Sequence, residues 1–237
     1  MTFDKHFTYL IIDFLVILFP LLFSFSKHFP FIKEWKFYAP INIIVAIIFI
    51  MWDALFTDIR VWWFNDQYTI GIKLFNLPIE EVLFFICIPY ACTFSYYAID
   101  KYIRWNVSAN AVNIFYYALV LFLIIFSLIF PFRYYTNVTF LLLIFTLIVL
   151  LKTKHRDLLQ KMMMTYVFII PFFLLSNGTL TGGLFVDDPI VFYNSSHFSN
   201  IRIINIPLED FFYGMLLIYW NIAGFDFLRK NPKFLRL

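Results

Sequence analysis

Two short stretches of this chain carry the same acidic signature. One reads Asn76-Leu77-Pro78-Ile79-Glu80-Glu81-Val82-Leu83-Phe84 and the other Asn205-Ile206-Pro207-Leu208-Glu209-Asp210-Phe211-Phe212-Tyr213, 129 residues later. At the same offset Asn65 falls on Asn194 and Val61 on Ile190. Further upstream, Asp53 stands four before Thr57 and Asn177 four before Thr181, so the second copy carries five extra residues between its Thr and its Asn. We read this as a duplication. Neighbouring residues point about 100° apart on a helix, so one acid of each pair can cap the helix while the other faces a bundle. Pro78 and Pro207 suit the first helical position. That puts Glu80 and Glu209 near the third, where a carboxylate accepts free N–H groups and complements the helix dipole. Capping is therefore one reading of these acids. Acid–base chemistry is the other, with Asp53, in the apolar run Ile47 to Phe56, as a third participant or hydrogen-bond partner.

The elements that must position these residues are read from composition. Of 237 residues, 62% are hydrophobic and 14% charged. Soluble domains run at about 45–50% and about 25%. An ordinary soluble enzyme, a nucleic-acid binder and a disordered chain are excluded. A spanning helix needs about 20 apolar residues. Seven such runs occur, at 7–26, 38–57, 78–99, 110–130, 134–151, 161–178 and 206–227. The fold class is all-α: a polytopic membrane protein of about seven transmembrane helices. The duplicated helices lie four apart, an even offset, so the two copies have the same orientation. The plan is a parallel 3+1+3 repeat, with residues 1–105 as the first three-helix unit, 106–131 as a connecting helix and 132–237 as the second. Both acidic motifs then lie at one membrane face.

Orientation follows from Lys and Arg. Five (Lys5, Arg60, Lys73, Arg133, Arg202) lie on the side of the N-terminus and thirteen on the other. The positive-inside rule puts the N-terminus outside, the C-terminus in the cytoplasm, and the long polar segments 58–77 and 179–205 on the outer side of the cell membrane. Cys87 and Cys92, five apart, share no helix face and read as small apolar residues.

An ionised acid at membrane depth costs about 2.5–3.5 kcal/mol, and such residues are usually functional. Clustered carboxyls in an apolar setting with few cations keep at least one proton among them. A neutral carboxylic acid there is a proton donor. Arg60 and Arg202 are either ion-pair partners or loop charges. Trp52, Trp62, Trp63, Tyr68 and Tyr193 form an interfacial belt or the aromatic wall of a cationic intermediate. No histidine cluster, G-x-G-x-x-G or paired Asp-rich motif is present, so neither a cofactor nor a metal is implied.

At the doubled Pro-x-Glu-Glu/Asp motif the chain resembles the membrane-bound lycopene cyclases, the heterodimeric bacterial carotenoid cyclases and their fused archaeal and fungal relatives. Leu77 to Tyr90, LPIEEVLFFICIPY, looks like the first subunit and IPLEDFFYG from Ile206 like the second. Trp52-Asp53…Thr57 and Asn177…Thr181-Gly182 match the upstream pattern. One departure is Arg60-Val61-Trp62, where family members often have Gly before Val-Trp. The resemblance implies a lipophilic carotenoid substrate, lycopene, taken from the bilayer, and formation of β-ionone rings by acid-initiated carbocation cyclisation without net redox change or cofactor. On this reading Glu80 and Glu209 are the principal acid/base pair, Glu81 and Asp210 support them, and Asp53 assists. Trp52, Trp62, Trp63, Asn65, Asn177 and Asn194 are the candidates for lining the substrate. A parallel repeat with paired acids equally suits a proton-coupled transporter of small solutes. A related enzyme of carotenoid end groups and a non-catalytic scaffold complete the alternatives.

Overall fold

The computed structural model describes residues 4–103, 107–153 and 156–235. The boundary expected at 105/106, and Arg104, Lys154 and Arg236 of the basic count, lie outside the described residues. The chain forms seven long helices: α1 Thr8–Ser24, α2 Trp35–Asp58, α3 Ile79–Tyr102, α4 Ala109–Ile129, α5 Tyr134–Lys152, α6 Arg156–Leu180 and α7 Leu208–Lys230. All seven are long and apolar enough to cross a membrane. They match the seven apolar runs, most extending a few residues further into the flanks.

The two long polar segments fold into three small ribbons on the acid side of the bundle. β1 (Trp62–Phe64) pairs antiparallel with β4 (Val191–Tyr193), with Trp63 opposite Phe192. β2 (Lys73–Leu74) pairs with β3 (Leu77–Pro78), and β5 (Arg202–Ile203) with β6 (Ile206–Pro207). The duplication is visible bond by bond. The Asn65 amide donates to the Ile190 carbonyl and the Asn194 amide to the Val61 carbonyl, each at 2.8 Å. A pseudo-twofold axis therefore passes through the Trp63–Phe192 stack, whose rings lie 5.6 Å apart at 11°. The five extra residues of the second copy bulge out between Thr181 and Pro189. The bulge starts at Gly182, whose φ is +78° and where a Cβ would meet Pro189 at 2.8 Å. Only glycine fits that turn.

The prolines differ from expectation. Pro78 and Pro207 close the ribbons in extended conformation (ψ 147° and 138°), and the helices begin one residue later, at Ile79 and Leu208. Glu80 and Glu209 are thus second helical residues, and neither helix start has a side-chain cap from its cap residue.

α3 packs on α1, α2, α6 and α7, and α7 on α2 and α5; α4 lies over α5. Membrane helices gain no hydrophobic drive for association, so packing and polar links set the arrangement. Asn42 on α2 donates to Asn221 on α7 and to the Phe85 carbonyl on α3, both at 3.2 Å. At the end away from the ribbons, Lys161 pairs with Asp100 at 2.7 Å, and Arg229 reaches Asp100 and Glu34 at 3.3 and 3.5 Å. The bundle is therefore tied at both ends, by ion pairs on one face and by strand pairing on the other. Cys87 and Cys92 are free thiols.

Candidate active site

The paired acids divide their labour. Glu80 and Glu209 are fully buried, and each accepts a hydrogen bond at 2.7 Å from the loop before its own helix, from the Ile70 and Ser199 amides respectively. Thr136 donates to the same Glu209 oxygen. These two acids bond through one oxygen to the turn ten residues upstream, bury the other without a partner, and stand outside the cavity that their neighbours line. Where the sequence names them the principal reacting pair, the fold sets them against these loops.

Their neighbours Glu81 and Asp210 project the other way, as the 100° step requires. Both line a cavity of about 960 Å³ bounded by α1, α3, α6 and α7. Here too the duplication holds: Tyr9 on α1 donates to Glu81 Oε2, and Tyr135 on α5 donates to Asp210 Oδ1 at 2.6 Å. Neither tyrosine was singled out in the sequence. Aligning the first helix of each unit at an offset of 126 places Tyr9 on Tyr135, and that match was the available signal.

Beyond the tyrosines the halves diverge. Asp53 lies beside Glu81, buried, with the Trp62 indole donating to its Oδ1. The equivalent of Asp53 in the second unit is Asn177, which donates to Asp210 Oδ2 at 2.8 Å. Tyr193 donates to that same oxygen, also at 2.8 Å. Burial, reinforced by the adjacent Asp210, pushes the Tyr193 phenol well above its usual range, so this hydroxyl acts as a donor. Asp210 therefore receives three neutral donors, whereas Asp53 and Glu81 form a carboxyl pair with one indole and one phenol. Among the described residues no ion pair involves any of the five acids. Arg60 and Arg202, weighed as partners, are not: the Arg202 guanidinium stacks over Phe198 at 4.9 Å and Tyr193 at 5.6 Å.

Of the expected substrate-lining residues, Trp62 and Asn177 line the cavity and four do not. Asn65 and Asn194 spend their side-chain amides on the Pro189 and Arg60 carbonyls across the pseudo-axis, at 3.2 and 3.0 Å. Trp63 is held in the stack on Phe192. Trp52 sits behind the wall, 5.0 Å from the Tyr213 ring. Tyr213 itself lines the cavity with a buried hydroxyl that has no protein partner. Its ring stands 6.0 Å from Tyr135 and 6.2 Å from Trp62. The result is a carboxyl cluster roofed by four aromatic rings, at the closed end of a cavity whose rim residues Leu15, Phe19, Phe172 and Leu175 are more than half exposed.

A family model described as lycopene cyclase matches the chain over residues 6–99 and 132–228. The two regions hold three helices each, and α4 lies between them. No curated protein and no solved structure matches the chain.

Proposed function

The chain belongs to the lycopene cyclase family, and from that premise we propose that it closes β-ionone rings on the ends of linear carotenes by proton addition and proton loss at one carboxyl cluster. The observation that carries this reading is the unequal environment of the two cavity acids. An acid that must give a proton and a base that must take one need opposite surroundings. Asp53 and Glu81, side by side without a cation, hold a proton between them. Asp210, with three neutral donors, is held as a carboxylate.

The steps balance without a redox partner. The Asp53/Glu81 pair delivers its proton to the terminal double bond of the carotene end group, leaving a tertiary cation. The neighbouring double bond attacks that cation, forming the ring carbon–carbon bond and moving the charge onto the ring. Trp62, Tyr135, Tyr193 and Tyr213 present ring faces to the cation. Asp210 removes a ring proton, which restores a double bond. Passage of that proton back to the Asp53/Glu81 pair completes the cycle, and the coupled carboxyls titrate as a group. The dry cavity keeps water from trapping the cation. Its apolar walls and lateral opening fit a hydrocarbon drawn from the bilayer better than a hydrated solute, which sets the transporter reading aside.

The organisation proposed is two fused three-helix units, 1–105 and 132–237, joined through 106–131. The basic-residue bias supports a site at the outer leaflet of the cell membrane with a cytoplasmic C-terminus. Labelling of a cysteine introduced in 58–77 by an impermeant reagent checks this.

Expression in lycopene-accumulating bacteria tests the function. Monocyclic or bicyclic β-carotenes are the expected pigments. Unchanged lycopene, with the protein present in the membrane, overturns the proposal.

A further inference from the structure

The acid cluster occupies only one end of the cavity. The lining continues down α3 through Glu81, Phe84, Ile88, Ser95, Ala98 and Tyr102, spaced three, four or seven apart and so on one face. The 21 steps from Glu81 to Tyr102 span about 31 Å at about 1.5 Å each, close to the full hydrocarbon core of about 30 Å. α1 supplies the facing wall through Ile12, Leu15, Phe19 and Phe23. α6 contributes only from Phe168 onward, so the half away from the acids is a two-helix trough open to lipid.

The trough has a distinct chemistry. Its floor is small, at Ala91, Ser95 and Ala98. The Ser95 hydroxyl is spent on the Ala91 carbonyl at 2.9 Å, and the Tyr102 hydroxyl on the His28 carbonyl. Among the described residues, the Cys92 thiol is the other weakly polar group of this lining. It ends in a ring cluster, with Phe29 6.0 Å from Phe94 and 4.8 Å from Tyr102.

We propose that this trough binds the unreacting remainder of the linear polyene, so that the distance from Glu81 to the Phe29–Phe94–Tyr102 end selects substrates by chain length. The inference rests on the cyclase reading and adds a second subsite to it. The occupant is fixed by continuity: the apolar cavity that holds Asp53, Glu81 and Asp210 runs on along α3 to Phe29, Phe94 and Tyr102. The competitor is a lipid acyl chain. Lipid is as apolar as the trough, so burial alone favours neither. A rigid conjugated chain loses little conformational freedom on binding and lies flat on rings, whereas a flexible acyl chain must be ordered.

The test uses the full chain in liposomes with two substrates. One is lycopene; the other is a shortened linear polyene that keeps one intact lycopene end group. Ala98→Trp and Ser95→Phe fill the trough floor far from the acids. Ile114→Trp, on the exposed face of α4, is the control. Wild type is expected to favour lycopene in kcat/KM by roughly tenfold or more. The trough variants are expected to lose that preference while turning over the shortened polyene as wild type does, and the control to keep it. An equal loss on both substrates, or no change on lycopene, overturns the subsite and leaves the trough to lipid or to structure. Failure of wild type on both substrates removes the cyclase reading itself, and the subsite with it.

Discussion

The two three-helix units share a backbone plan to the level of single hydrogen bonds, yet the cavity opens beside α6 while rings fill the matching place on α2. On the α2 side, Phe49, Trp52 and Phe56 fill the space, with Phe49 5.2 Å and Trp52 5.0 Å from Tyr213, and Phe56 5.0 Å from Trp62. Their counterparts on α6, at an offset of 124, are Phe173, Ser176 and Leu180, and all three line the cavity. Replacing an indole by a hydroxymethyl group at one position opens a space that its twin closes. A second difference adds to this one: Asp53 in the first unit against Asn177 in the second. Duplication made two equal acid motifs. Divergence at two helix positions made one cavity with a carboxyl pair on one side and a carboxyl held by three neutral donors on the other.

The strongest attack on this comparison removes the cavity acids. Glu81→Gln and Asp210→Asn are each expected to lower cyclisation by about 10³-fold or more, since each deletes one proton transfer while preserving shape. The same conservative change one residue earlier, Glu80→Gln or Glu209→Gln, is expected to leave turnover near wild type. Its cost is stability, about 1 kcal/mol, read from thermal unfolding in detergent, because an amide still accepts from the Ile70 or Ser199 N–H but more weakly than a carboxylate. Equal losses at all four positions destroy the proposed division of labour.

Next in size is Asp53→Asn, which makes the first unit resemble the second. The carboxyl pair then has a single member and no shared proton, and about 10²-fold of rate is expected to go. Adding Asn177→Asp moves the pair to the other side of the cavity. Partial recovery in the double variant, measured against both single variants, identifies the pair itself as the proton source. No recovery shows that its place beside Glu81 matters as well.

Ser176→Trp comes third. It restores to α6 the side chain that α2 carries and is expected to slow lycopene turnover roughly tenfold while the protein still inserts, because the backbone already accommodates Trp at the matched position. Unchanged turnover shows that the occupant does not pass beside α6.

Much of this architecture is legible in the sequence. Hydrophobic length alone gives seven helices, because no other structure satisfies the backbone of such runs in lipid. The 129-residue offset matches Val61 and Asn65 to Ile190 and Asn194, but that the two segments pair as β1 and β4 is seen only in the fold. The motif locates the acids but does not say which of two neighbours faces inward. That depends on where the helix starts, and the prolines act one residue earlier than their usual place. The amides Asn65 and Asn194 read as substrate ligands because they repeat. They repeat because the pseudo-axis needs them on both sides. Tyr9 and Tyr135 are hidden by a different offset, set by the length of the connecting segment, and in a chain with 15 tyrosines two more carry little signal.

The smallest effect concerns the five-residue bulge, which has no counterpart in the first unit. It brings Phe185 and Val186 to the cavity lip and is followed by Asp187, which Lys5 holds at 2.8 Å. The hydrogen bond and charge of Lys5 hold the Asp187 carboxyl below its usual range. A lowered value means that the tether is fully present above the ordinary aspartate range, near about 4, and is lost as pH falls through the lower folded value. Both side chains are largely exposed, so salt screens the pair and its effect on global stability is slight. Limited proteolysis of 179–205 reads it locally. At neutral pH and low salt, Asp187→Asn is expected to be nicked faster than wild type. The two rates are expected to converge as pH drops below about 4 or as salt approaches about 1 M. Equal nicking at neutral pH shows that the lip is held by Gly182, Pro189 and the ribbon alone, and that the second unit's extra residues need no help from the first.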